Sequence, residues 1–294
     1  MLSVDEKSFT LLELLVVITI IGILTSIVVV SMSGSTDSAT IAKGKSYAQQ
    51  VHALLGANAV GVWNFDEGEG TTAYDISGYK NNGIIYGASY ISSPVSGNAL
   101  NFNGSSDYIN CGNYESLNID PPITYESWVN VSSSFDTFIV AYFMSKGSGS
   151  VAGINFGFSG THITEHKGKA IIYNGSFSIY STKPISNNVW HHLIAINDGI
   201  TSKIYIDGQF SNSGTQTITN NPDLSLNIGR RANSQFYFPG LIDEVRIYSE
   251  ALPSAEIQKH YVQGLERLLA KQAITQAEYD QRMEEFIQFL SFKQ

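Results

Sequence analysis

Cysteine is almost absent from this chain. The single Cys111 among 294 residues excludes an intramolecular disulfide and any zinc site built on paired cysteines, so stability must come from packing or from a hard metal ion. Positive charge is scarce too: 17 Lys and Arg stand against 26 Asp and Glu, a net charge of −9. Nucleic acid binding rests on a surplus of clustered cations, so no nucleic acid partner is expected. Only 15% of the residues are charged and 43% are hydrophobic, which excludes a disordered chain and allows a sizeable core. Against 7 Pro there are 26 Gly, 16 Tyr and 15 Phe, the profile of many short aromatic strands joined by tight turns.

The amino terminus differs from the rest. After the polar start Asp5, Glu6, Lys7, Ser8, the chain is apolar from Phe9 to Val30. As a helix, about 22 residues at 1.5 Å each reach about 33 Å, enough to cross a hydrocarbon core. A secretory signal peptide would have a basic start, a shorter apolar run without a carboxylate and a small-residue cleavage site after it. Glu13 is the one ionisable side chain in the run, and a carboxylate in lipid demands a positive partner.

The order Ser8-Phe9-Thr10-Leu11-Leu12-Glu13-Leu14-Leu15-Val16-Val17-Ile18 closely resembles the class III signal of type IV pilins and type II secretion pseudopilins. The resemblance implies that a prepilin peptidase cuts on the cytoplasmic side between Ser8 and Phe9, that the new terminus is methylated, and that Glu13 becomes the fifth mature residue. Ser8 stands where the family usually has Gly, another small residue. Once the leader is gone, the free amine of Phe9 in a neighbouring subunit is the natural partner for Glu13, and assembly neutralises both charges. Beyond Ser31, Ala39, Ile41, Ala42, Tyr47, Ala48, Val51, Leu54 and Leu55 recur at helical spacing to about residue 59.

Near Val60 the period changes. Segments such as Val62-Trp63-Asn64-Phe65, Leu100-Asn101-Phe102, residues 123–129, 154–158, 170–173, 190–196, 203–206, 226–228 and 241–248 are short, aromatic or β-branched, and often alternating. Turn clusters separate them, and Asp207-Gly208 is a type I′ hairpin signal whose reading is structural. Ten or more strands predict two packed antiparallel sheets, because one open sheet would leave an apolar face wet.

Several of these stretches, in order, resemble the laminin G-like, concanavalin A-like jelly roll: residues 63–70, Asp75-Ile76-Ser77-Gly78, residues 100–109, Trp190-His191-His192, Ile204-Tyr205-Ile206-Asp207-Gly208 and residues 240–248. The resemblance covers roughly residues 60 to 260. It implies a mainly β fold, a binding role toward glycans or surface proteins, and a structural calcium with Asp66 and Asp243 as ligands; Asp75 and Asp107 are further candidates. The alternative for these acids is a turn cap or a salt bridge to Arg246. Retaining glycosidases of this fold place acids at alternate strand positions, whereas Asp243 and Glu244 are adjacent and expected on opposite faces, and Glu126 is alone in its strand. No enzyme activity is expected. Of His191 and His192, one should face the core and one the surface. Phe236, Tyr237 and Phe238 either stack on a sugar or close the end of the sandwich. Cys111 reads as a small buried residue.

The tail carries two helix starts, Pro253 in a first turn and Thr275-x-x-Glu278 as a capping box. Its apolar stripe, Tyr279, Met283, Phe286, Ile287 and Leu290, is expected to fold back on the chain. The organisation expected is therefore a leader (1–8), a pilin-like helix (9–59, membrane part 9–30), a jelly roll (60–252) and a helical tail (253–294). Such a protein would be a single-pass membrane subunit with its β domain outside the cytoplasm, on the cell surface or in a filament of pilin-like subunits. A membrane-tethered glycan-degrading enzyme and a plain anchored lectin are the rival readings.

Overall fold

The computed structural model describes residues 58–133, 140–148, 153–160, 164–232 and 236–291. The leader, the pilin-like helix and its residues Ser8, Phe9 and Glu13 lie outside the described residues. Among the described residues no helix is long and apolar enough to cross a membrane.

The alternating segments form two eight-stranded antiparallel sheets. Sheet one runs β14 (Gln209–Thr215), β13 (Thr201–Ile206), β12 (Trp190–Asn197), β7 (Ile123–Val131), β16 (Pro239–Tyr248), β5 (Asn98–Asn103) and β4 (Ser89–Ser92), with β1 (Ala59–Trp63) added against β16. Sheet two runs β11 (Ser178–Pro184), β10 (Lys169–Tyr173), β9 (Asn155–Ser159), β8 (Val140–Ser145), β15 (Asn227–Ile228), β6 (Tyr108–Asn110), β3 (Gly83–Tyr86) and β2 (Thr72–Ala73). The mainly β, two-sheet, jelly-roll-like architecture read from the sequence is present.

Alternation sets the layers. Along β7, Ile123, Tyr125, Val129 and Val131 point into the sandwich with Trp63, Phe102, Phe143, Phe158 and Phe238, while Glu126 and Trp128 take the opposite face of sheet one. Period-two side chains can serve two buried layers in this way only if both faces are covered. The second cover is the tail, which forms α1 (Ser254–Ala270) and α2 (Gln276–Ser291). In α1, Ile257, Tyr261, Leu265 and Leu268 are buried at helical spacing, and Tyr261, Leu265 and Leu268 cluster with Trp128, Trp190 and Phe286 of α2. At about 1.5–3 kcal/mol per buried apolar side chain, this contact outweighs the exposed Lys259–Glu256 pair, for which about 1 kcal/mol is an upper figure. Gly264 lets α1 approach: a methyl built there would overlap the Trp128 indole.

Three local expectations change. His191 and His192 alternate about β12, but both are buried, because the helices close the face that the sequence leaves to solvent. Asp243 and Glu244 share one face. A bulge between Asp243 and Arg246, with Glu244 at φ +50°, interrupts the register, so Ile242, Val245 and Ile247 face the core while Glu244 turns to Arg246. The second helix start is half a capping box: Thr275 Oγ1 accepts the Glu278 N–H at 3.2 Å, but the Glu278 carboxylate goes to Arg282 at 2.6 Å. The apolar stripe of α2 folds back as expected, with Phe286 buried and Ile287 left 57% exposed. Cys111 is fully buried, and burial pushes its thiol pKa well up.

Candidate functional site

Among the described residues, sheet two keeps an open face around β3 and β6. In β3 the even residues Ile84 and Tyr86 point outward and Ile85 inward, and Tyr86 lies directly opposite Tyr108 of β6. Such a cross-strand pair brings the rings together: they stack at 4.5 Å with planes 10° apart. On the β15 side, Gly229 adopts φ +84°, a conformation that suits glycine. That turn lifts Arg230 over Tyr108, its guanidinium carbon 3.4 Å from the ring centroid. The Arg230 Nε–H donates to Asn227 Oδ1 at 3.0 Å, which fixes the plane of the guanidinium. Tyr237 approaches Tyr108 at 6.4 Å, and next to it Arg231 lies 4.3 Å over Phe236. Of the three loop aromatics, Phe238 is fully buried in the core, while Phe236 and Tyr237 line the open face.

At the start of the sandwich, the loop from Ser93 to Asn98 touches both acids that the sequence singles out. The Asp66 carboxylate accepts the Asn98 N–H at 3.0 Å, with Gly97 packed so closely that a methyl there would overlap Oδ1. Asp243, fully buried, accepts from the Ser93 hydroxyl at 2.5 Å and from the Glu244 N–H at 2.7 Å. Burial, and then the negative charges of Glu244 and Asp66, push its carboxyl well above the usual range. Two carboxylates that repel one another, with the Ser93 hydroxyl on one of them, are oxygens of the kind a hard divalent cation takes. Among the described residues, however, no three His, Cys, Asp or Glu side chains group as a metal ligand set. Asp75 and Asp107 are engaged as turn caps: Asp75 accepts from Val62, Ser77 and Asn81, and Asp107 from Asn103 and Ser106.

A buried charge centre lies beneath α1. Glu126, fully buried, accepts from His192 Nε2 at 2.9 Å, His260 Nδ1 at 3.0 Å, Arg246 Nη1 at 3.3 Å and the Tyr248 hydroxyl at 3.0 Å. Burial alone would raise this carboxyl. The His260 and Arg246 charges and the histidine hydrogen bonds prevail and hold it well below the usual range. Arg246 also pairs with Glu244. Nearby, the hairpin residue Asp207 binds His191 Nδ1 at 2.7 Å and accepts the His192 N–H at 2.9 Å, so its role is structural. A cavity of about 770 Å³ opens between this hairpin and α2, lined among others by His191, Asp207, Gln209 and Arg282.

The two-sheet sandwich is that of a concanavalin A-like domain. Residues 103–258, more than half of the chain, match the concanavalin A-like lectin/glucanases superfamily, and the chain belongs to it. Residues 5–29 match the prokaryotic N-terminal methylation motif. No curated protein is detectably similar in sequence. Among solved structures the chain is similar to domain 4 of AbnA, a GH43 extracellular arabinanase from Geobacillus stearothermophilus, in complex with arabinotriose (21% identity, 69% of this chain and 98% of that one, TM-score 0.55). It is also similar to the binding domain of Paraclostridial Mosquitocidal Protein 1 (17% identity, 72% and 53%, TM-score 0.58). A third likeness is to Trypanosoma rangeli sialidase (15% identity, TM-score 0.53), where it covers 70% of this chain and 32% of the sialidase. At these identities the likeness concerns the fold.

Proposed function

We propose that this protein is a pilin-like or pseudopilin-like subunit that carries a glycan-binding domain outside the cytoplasm. The observation that carries the reading is the joining, in one chain, of a prepilin methylation motif at residues 5–29 to a concanavalin A-like sandwich with an aromatic face left open. The apolar segment holds the chain in the membrane by a single pass. A prepilin peptidase frees Phe9, and Glu13 of one subunit pairs with the Phe9 amine of another. The β domain binds a ligand without cleaving it. In support, the acids of sheet one are engaged structurally: Glu126 by two histidines and Arg246, and Glu244 by Arg246. A glycan ligand is further supported by the arabinotriose complex of the similar arabinanase domain.

Mass spectrometry of protein taken from the membrane tests the first half of this reading. The mature chain should begin at an N-methylated Phe9; a chain that retains residues 1–8 would reject it.

Calcium is part of the proposal. Asp66 and Asp243 would hold it, with oxygens of the Ser93–Asn98 loop. At a concentration 100 times its dissociation constant it would add about 2.7 kcal/mol, or on the order of 5–10 °C in melting temperature for a domain of this size. Because Asp243 has a raised pKa, its ionisation lowers stability as pH rises through that value. Asp243→Asn should therefore melt higher than the wild type in chelator at neutral pH and lose the response to calcium. A calcium response that survives in Asp243→Asn would remove the site.

A further inference from the structure

We infer that the open face of sheet two is a site for an acidic oligosaccharide of the hexuronate type, with Arg230 reading a carboxylate and Tyr86 stacking on a sugar ring. The inference rests on the glycan-binding reading and deepens it by naming the place and the ligand chemistry. Tyr86, Tyr108 and Arg230 form one ladder across β3, β6 and the turn after β15, with the guanidinium on one side of Tyr108 and Tyr86 on the other. The ladder ends in two different ligand-facing groups. Tyr86 is 42% exposed and presents its remaining ring face, a flat apolar surface suited to the C–H face of a pyranose. Arg230 is held by the ring stack and by Asn227, and among the described residues it makes no ion pair. Its terminal nitrogens retain the planar fork that matches a carboxylate.

Charge favours an anion at this turn. The chain has only 17 basic residues and a net charge of −9, yet Arg230 and Arg231 stand side by side, both over aromatic rings of this one face. Arg230 and the outer face of Tyr86 are separated by the stacked rings, too far apart to serve one monosaccharide. A hexuronate oligomer meets that spacing, because every ring carries a carboxylate in its own plane: one ring lies on Tyr86 while the acid of another reaches Arg230. Preorganisation of the arginine by stacking removes much of the ordering cost that an exposed long side chain would otherwise impose.

The test uses the full-length protein in detergent micelles, with tri-galacturonate and its methyl ester as probes in titration calorimetry. The ester keeps the shape and removes the charge. Tri-galacturonate should bind, and the ester should bind about tenfold more weakly or worse, as loss of a charge-assisted hydrogen-bond pair requires. Arg230→Gln should lower affinity for the acid by a similar factor at an unchanged melting temperature, and Tyr86→Ala should weaken both probes. Equal binding of acid and ester, or Arg230→Gln binding like the wild type, would overturn the inference. If the protein binds neutral oligosaccharides but not the acid, the hexuronate site fails and the glycan-binding reading stands; if a panel of neutral and acidic glycans yields no binding, the reading itself falls.

Discussion

Arg246→Met should lower the melting temperature by on the order of 10 °C, the largest loss expected from any single change in the sandwich. The substitution removes one partner of the fully buried Glu126 and leaves its charge to His192, His260 and Tyr248. Breaking a buried ion pair from one side costs about 3–5 kcal/mol, and each kcal/mol moves a domain of this size by about 2–4 °C. Glu244 loses its partner in the same step. Replacing both charges, as Glu126→Leu with Arg246→Met, should recover part of the loss, since an apolar pair of similar volume carries no desolvation penalty. If the single variant melts within 2–3 °C of the wild type, on the order of one kcal/mol, the centre does not hold sheet one together.

The same centre sets an acid limit. The folded-state pKa of Glu126 lies well below its ordinary 4.5, so its contribution is complete above that value and is lost as pH falls below it toward the folded pKa. Asp243 works in the opposite sense, because its raised pKa means that protonation relieves strain. A melting profile from pH 6 to pH 3 should fall less steeply in Arg246→Met than in the wild type, since Glu126 loses much of its depression in the variant.

The second large effect concerns Glu13. Glu13→Ala should leave processing and membrane insertion intact, because an apolar side chain in lipid carries no penalty, yet reduce filament or complex assembly to background. Unpaired charge in hydrocarbon is costly in both partners, and on the proposed reading the carboxylate of one subunit and the Phe9 amine of the next would relieve each other only on contact. Without Glu13 the amine has no such partner. Sedimentation of sheared surface material, or crosslinking between subunits in the membrane, would measure it; normal assembly of the alanine variant would refute the pairing.

How far the sequence carried the fold depends on contrast between neighbours. β7, β12 and β16 were legible because aromatic and β-branched residues recur there at strand spacing. β8 is less legible because Ala141, Met144 and Ser145 dilute its aromatic and β-branched residues, although all six positions are buried. β11 and β14 were hidden as polar strands with few buried positions. The structure brings Asp66 and Asp243, the two acids that the resemblance singles out, to one loop. Glu126 is the one acid of its strand, as the sequence says, but its partners are not legible there because they come from up to 134 residues away. Arg230 gave no signal in a chain read by apolar period; its position follows from the φ of Gly229, which no composition reveals.

Tension has a defined route through this molecule. Among the described residues β1 is the first strand and pairs with β16 alone, through register partners from Ala59–Tyr248 to Trp63–Val245. A bound surface that drags on the domain while residue 58 is held therefore loads this ribbon before any other strand. Trp63, with no exposed surface and its indole N–H on the Asn81 carbonyl at 3.1 Å, is the peg that must be drawn out before the ribbon can peel. If the domain binds a surface as proposed, the load its anchorage bears is set by this ribbon together with the bonds that tie Val60 and Val62 to Asn81, Asp75 and Ile76.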